Sequence, residues 1–225
     1  MKPSNFEIEK EKILDQIVGG RCYYPDVKIW MHPFTIILVY YSKKLNVSPN
    51  ALSLLNLFIS IICLFFIYTN NFLLAFVLFW IRAILDCSDG ALARYADQTS
   101  KFGALLDKAI DFPFYISFWL LIALKLPNIY YSIYLLSSAF LYLLLVEYYI
   151  EPRLLKLDKR APVKKYFIDR GYILGFGFFT VFEFWTLAVF AVNVNYALQY
   201  LFVLIILTNM DIIYRLYEVI RYIRR

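Results

Sequence analysis

The sequence predicts an all-α, polytopic membrane protein with six transmembrane helices preceded by an interfacial amphipathic helix. Three observations predict it. First, 62% of the 225 residues are hydrophobic and 20% aromatic, with 20 Tyr and 21 Phe. A soluble domain of this size usually holds roughly 45–50% apolar residues. Second, the apolar residues fall into runs close to the roughly 20 residues that cross a bilayer, separated by short polar breaks. Third, the net charge of +6 is unevenly spread, and the basic segments fall on one side of a six-crossing plan. The three Cys are scattered, and Cys63 and Cys87 lie in predicted membrane helices, so no disulfide or zinc framework is indicated. Nothing in the sequence points to a nucleic-acid partner.

Residues 5–18 read as a short polar amphipathic helix ended by Gly19-Gly20. The N-terminus carries Lys2, Glu7, Glu9, Lys10, Glu11, Lys12 and Asp15, which leaves no apolar core for a cleaved signal peptide. Residues 27–45 combine Trp30, Tyr40 and Tyr41 with Lys28, Lys43 and Lys44, and Pro33 can start a helix. This is the expected interfacial helix; a buried core helix over 34–41 is the alternative. His32, the one histidine, sits at that helix start, where a structural role is more usual than a catalytic one.

The turn 47–50, Val-Ser-Pro-Asn, leads into a first membrane helix at 51–68. The second is expected at 72–97, the third at 102–125 with Pro113 inside it, and the fourth at 129–150. The fifth follows at 171–192 and the sixth at 196–217. Between the fourth and fifth lies 151–170, with seven basic and three acidic residues. Six crossings put this loop, the first fifty residues, the link 97–101 and the tail on one side. The other side receives 69–71, 125–128 and 193–195, with Lys125 as its only charge. The positive-inside rule then places both termini in the cytoplasm of an integral protein of the cell membrane. Two parts follow: an N-terminal segment, 1–46, holding the interfacial helix, and a six-helix transmembrane domain, 47–225.

The chemistry concentrates in 86–111. Asp86 and Asp89 are three residues apart and Asp107 and Asp111 four apart, so each pair shares a helix face. The polar link at 97–101 can reverse the chain. The first pair lies roughly three and two turns before it and the second roughly two and three turns after it, so all four can converge. A charged side chain at mid-bilayer costs about 2.5–3.5 kcal/mol on insertion scales, and four would cost on the order of 10 kcal/mol if lipid-facing. They must face a wet cavity and hold something positive. Hard divalent cations with oxygen ligands, one or two Mg²⁺ or Mn²⁺ ions, answer that need.

Two other readings compete. One is internal ion pairing with Arg82, Arg94 and Lys108, which offers three bases for four regularly spaced acids. The other is a cation or proton pathway, for which intramembrane carboxylates are also typical. The small residues Gly90, Ala93 and Gly103 let a bulky ligand approach the helices, and Arg94 offers a fixed cation for phosphate. Together with the acids they favour metal-bridged binding of a diphosphate over bare ion passage. Ser88 is the nearest candidate nucleophile, but a hydroxyl without a paired base is a poor one.

Asp86-x2-Asp89-Gly90-x2-Ala93-Arg94-x8-Gly103-x3-Asp107-x3-Asp111 matches, at every position, the signature of the CDP-alcohol phosphotransferase family. The chain also resembles that family in its six-span plan, its interfacial helix, and Val-Ser-Pro-Asn-Ala-Leu-Ser at 47–53, where Ser53 stands in place of a frequent Thr. The resemblance implies a six-helix fold, usually a homodimer, and a reaction. A hydroxyl of an acceptor alcohol attacks the β-phosphate of a CDP-linked donor and releases CMP. It implies that Asp86, Asp89 and Asp107 bind metal and that Asp111 is the general base, also touching a second metal. Gly90, Ala93, Arg94 and Gly103, with Asn50 and Ser53, would form the CDP site beside Asp86 and Asp89. The 47–225 segment would then be the catalytic domain, opening to the cytoplasm. Arg153, Arg170 and Arg215, near expected cytoplasmic helix ends, are candidates for a phosphate on the acceptor, which favours inositol phosphate or glycerol phosphate. The alternative is that these arginines serve only the positive-inside rule or lipid headgroups.

Overall fold

A computed structural model describes residues 5–18, 31–142, 144 and 181–223. The described residues form eight α-helices and no strand. These are α1 (Asn5–Val18), α2 (His32–Lys44), α3 (Pro49–Tyr68), α4 (Phe72–Tyr95), α5 (Lys101–Ala123), α6 (Ile129–Leu141), α7 (Val181–Val192) and α8 (Val194–Ile223). The all-α class holds among the described residues, while the expected helices over 129–150 and 171–192 run partly outside them. Among the described residues two helices are long and apolar enough to cross a membrane: α3, and Val194–Tyr214 within α8. Helices α4 and α5 have the length, 24 and 23 residues, but carry the acids and bases of the 86–111 stretch. Helices α6 and α7 are described over 13 and 12 residues, and each borders residues outside the described set.

The chain divides into two compact units. The first comprises Met1–Thr69 and Leu74–Tyr115. Its joints are set by local chemistry. Helix α2 ends in a Schellman turn: Val47 N–H reaches Ser42 O at 2.8 Å and Asn46 N–H reaches Lys43 O at 3.1 Å, with Asn46 left-handed at φ 55°. Ser48 then caps α3 by accepting from Ala51 N–H at 3.2 Å, with Pro49 in the first turn. Helix α4 ends the same way as α2. Gln98 N–H meets Ala93 O at 2.8 Å and Asp97 N–H meets Arg94 O at 3.3 Å, with Asp97 at φ 54°. Ser100 starts α5 by accepting from Gly103 N–H at 2.9 Å. The link between the two acidic helices is thus a pair of caps back to back.

Helix α1 is less polar in place than its composition suggests. Ile13 and Ile17, one turn apart, are fully buried among Ile36, Val39, Leu52, Leu85 and Leu92. Helix α2 has two faces. Thr35, Ile36, Val39 and Ser42 are buried, whereas Phe34, Ile37 and Tyr41 are about half exposed. His32 is buried at its start.

The second unit comprises Asn70–Leu73 and Ile116–Arg225. Here α8 packs on α6 and on α7, around Phe118, Trp119, Leu135, Leu187, Phe190 and Leu204. Polar bonds tie its helices together. Trp119 Nε1 donates to the buried Glu183 at 3.0 Å, and Asn209 donates to Ser138 Oγ at 3.0 Å.

Candidate functional site

Helix α3 carries a polar stripe, Ser53, Asn56 and Ser60, at helical spacing on an otherwise apolar helix. All three are buried, and each meets a charged residue or its partner. Ser53 Oγ donates to Asp89 Oδ2 at 2.6 Å. Asn56 Nδ2 donates to Asp86 Oδ1 at 3.1 Å. Ser60 Oγ accepts from Arg82 Nε at 3.0 Å, and the same guanidinium donates through Nη2 to Asp111. The acids are therefore held from one side by α3 and by a cation one turn below Asp86 on α4.

Three of the four signature acids converge. Asp86, Asp107 and Asp111 each offer a carboxylate oxygen, and these oxygens lie within 4.8 Å of one another. Asp89 stands apart from that trio. Three residues past Asp86, it is turned about 60° round the helix, is 5% exposed, and gives its oxygen to Ser53. The tight group is thus Asp86, Asp107 and Asp111, three of the four acids that the resemblance implied as metal ligands. All four acids still line one cavity of about 390 Å³, within the roughly 300–1,000 Å³ of ligand pockets.

The same cavity takes in Asn50, Ser53, Gly90, Ala93, Arg94 and Gly103, every residue expected at the CDP site. Gln98, Thr99 and Ser100 add hydroxyl and amide groups at its mouth. Gly103 has a steric role. A Cβ there would lie 3.1 Å from Ser100 Oγ and 3.4 Å from Asn50 Oδ1, so the bare backbone lets the start of α3 close on the start of α5. At Gly90 a Cβ would meet the Arg94 guanidinium at 3.3 Å. Arg94 Nε in turn donates to Gln16 O of α1 at 2.9 Å, and Tyr95 OH donates to Glu9 at 2.8 Å.

The ion-pairing alternative holds for one pair. Among the described residues Arg82 pairs with Asp111, Arg94 bonds to α1, and Lys108 is exposed. Ser88 is excluded as a nucleophile: it is fully buried and donates to Ile84 O at 2.6 Å. Arg153 and Arg170 lie outside the described residues, and Arg215 falls on α8. Asn56, Ser60 and the placement of Arg82 escaped the sequence reading. Their signal was available in three polar residues on one face of an apolar helix.

Hard oxygen donors at this spacing fit a small divalent cation. The three carboxylates of the trio, partly exposed to the cavity, supply such donors without an arriving histidine or thiol.

Residues 46–198 match the family described as CDP-alcohol phosphatidyltransferase. An uncharacterised protein of Aquifex aeolicus is 45% identical over 74 residues, 33% of this chain and 38% of that protein. The archaetidylinositol phosphate synthase of Pyrococcus horikoshii is 39% identical over 68 residues, 30% of this chain and 36% of that protein. The CDP-diacylglycerol–glycerol-3-phosphate 3-phosphatidyltransferase of Aquifex aeolicus is 38% identical over 63 residues, 28% of this chain and 35% of that protein. The chain thus covers less than two fifths of the length of these relatives. The family match takes in the whole of the acidic signature and more than half of the 225 residues: this chain belongs to the CDP-alcohol phosphatidyltransferase family.

Proposed function

We propose that the protein is a membrane enzyme of phospholipid synthesis that transfers a substituted phosphate from a CDP-linked lipid, such as CDP-diacylglycerol, to an acceptor alcohol and releases CMP. One observation carries this reading: the Asp86–Asp107–Asp111 trio shares a cavity with Arg94, Asn50 and Gly103. Acids alone would suit any cation. Acids beside an arginine and a glycine-opened helix contact suit a cation bridged to a diphosphate.

The roles follow from position. Asp86 and Asp107 would hold Mg²⁺ or Mn²⁺, with Asp89 lining the same wall. A bound divalent ion neutralises charge on the diphosphate. Arg94 and the neighbouring Gly90 and Ala93 receive the nucleotide phosphates, and Asn50 and Ser53 close that side of the site. Asp111 takes the proton of the acceptor hydroxyl as its oxygen bonds to the β-phosphorus and the bond from that phosphorus to the CMP oxygen breaks. This is direct transfer, without a covalent enzyme intermediate.

Two relatives are named for polyol phosphates, archaetidylinositol phosphate and glycerol 3-phosphate. This supports an acceptor of that class for the present chain, with Arg153, Arg170 and Arg215 as its phosphate ligands. The wider setting is a six-span homodimer in the cell membrane, with 47–225 as the catalytic domain and the site and both termini facing the cytoplasm. The two apolar helices of crossing length and the half-exposed apolar face of α2 support it.

The test is CMP release from CDP-diacylglycerol by purified protein, across inositol phosphate, glycerol phosphate, serine, inositol and phosphatidylglycerol. Release is expected with Mg²⁺ or Mn²⁺, to stop with EDTA, and to be fastest with a polyol phosphate. The Arg153→Ala/Arg170→Ala double variant should weaken acceptor affinity. Absence of release together with cation flux in liposomes without nucleotide would favour the transport reading, and release indifferent to EDTA would remove the metal from the mechanism.

A further inference from the structure

Arg82 is the largest fully buried side chain in the described protein. It is four residues before Asp86, on the same face of α4, and lies at the floor of the acidic site rather than on its wall. Its guanidinium joins three helices. Nε is fixed to Ser60 on α3 at 3.0 Å, and Nη2 meets Asp111 on α5. The flat face lies over the Phe114 ring, 4.0 Å from its centroid, with Tyr115 at 5.1 Å. Nη1 is buried without a hydrogen-bond partner. A buried guanidinium is costly unless its surroundings hold it; here a hydroxyl, a carboxylate and two rings do so.

We infer that Arg82 is a positioning residue for Asp111, a built-in counter-cation that aims this carboxylate into the cavity and withholds it from full capture by the metal. This rests on the reading of Asp111 as the base in phosphoryl transfer. The geometry gives the reason. Asp111 is one helical turn from Asp107, and their oxygens lie close enough to share an ion. A carboxylate with both oxygens on the ion would have none left to face the acceptor hydroxyl. Arg82 approaches from beneath and takes one Asp111 oxygen, which leaves the other for the cavity. The Ser60 bond fixes where Arg82 itself can reach.

The consequence separates this role from a purely structural bridge. Removing the cation makes the trio more negative and frees Asp111 as a ligand. Metal binding should therefore tighten while turnover falls, two effects that general loosening of the fold would not combine.

The experiment uses the full chain in detergent, with Mn²⁺ binding followed by calorimetry and CMP release measured alongside. Arg82→Gln should bind Mn²⁺ tighter by roughly 3-fold or more, with kcat lowered by at least about 10-fold. Arg82→Lys should return the Mn²⁺ affinity to that of the unaltered protein and recover part of kcat. Ser60→Ala keeps the charge but loosens its anchor, so kcat should fall with Mn²⁺ affinity unchanged. Arg82→Gln binding Mn²⁺ no tighter than the unaltered protein would overturn the inference, and so would Ser60→Ala with undiminished kcat. If Arg82→Gln fails to fold, Ser60→Ala decides the matter alone. Failure of the unaltered protein to release CMP would instead remove the underlying enzymatic reading.

Discussion

Ser53 on α3 donates its hydroxyl to the Asp89 carboxylate on α4 at 2.6 Å, across 36 residues of sequence. Both groups are buried but sit on the cavity wall, so water can replace the bond only in part. Ser53→Ala should cost about 1–3 kcal/mol, the usual penalty for orphaning a buried polar group. The readout is the thermal midpoint of purified protein. Ser53→Thr keeps the hydroxyl and should melt close to the unaltered chain. An alanine variant that melts normally would show that Asp89 finds another donor at no cost.

Asp97 holds the left-handed position that ends α4, at φ 54°. Left-handed backbone costs a residue with a Cβ roughly 1–2 kcal/mol, and Asp is among the side chains that tolerate it. Asp97→Gly should therefore raise the thermal midpoint or leave it unchanged, without loss of CMP release. Asp97→Val should lower it, because a β-branched residue suits this conformation least. Equal midpoints for Gly and Val would mean that the link is not set by this turn.

Helix α1 should matter more than its charge suggests. Ile13→Ala or Ile17→Ala removes a fully buried side chain and should cost about 2–5 kcal/mol each if the neighbours do not collapse. Because Gln16 O holds Arg94, these variants should also raise KM for the CDP donor. Unchanged KM with lowered stability would show that α1 supports the fold and not the Arg94 side chain.

These cases show what was legible in the sequence and what was not. The acidic hairpin could be read because its acids recur at helical spacing inside apolar segments, where each charge demands a partner. The turn between them could be read for its polar composition, but its reversal depends on Asp97 accepting a left-handed backbone, which composition alone does not reveal. Helix α1 hid its buried face because two isoleucines among many charges make a weak stripe. Arg82 appeared only as one of three bases that might neutralise acids. Its contacts with Ser60, Phe114 and Asp111 come from three helices meeting, and no local pattern encodes that. Asp89 carried the same signature weight as Asp86, yet its angular offset sends it to Ser53.

That offset makes a graded prediction for metal binding. Asp107 belongs to the close trio and Asp89 does not. Asp107→Asn should therefore weaken Mn²⁺ binding in a calorimetric titration by at least about 10-fold, the lower end of what losing one supporting partner costs a metal site. Asp89→Asn should weaken it less. The reverse order would mean that the carboxylates rearrange when the ion enters.

The most direct measurement of the central claim compares CMP release from CDP-diacylglycerol and a polyol phosphate, with Mn²⁺, by the unaltered protein and by Asp111→Asn. The account predicts metal-dependent release by the unaltered chain and a loss of about 10²–10⁴-fold in the variant, the span of a general base, with the folded variant still binding CDP. Undiminished release by Asp111→Asn would contradict it.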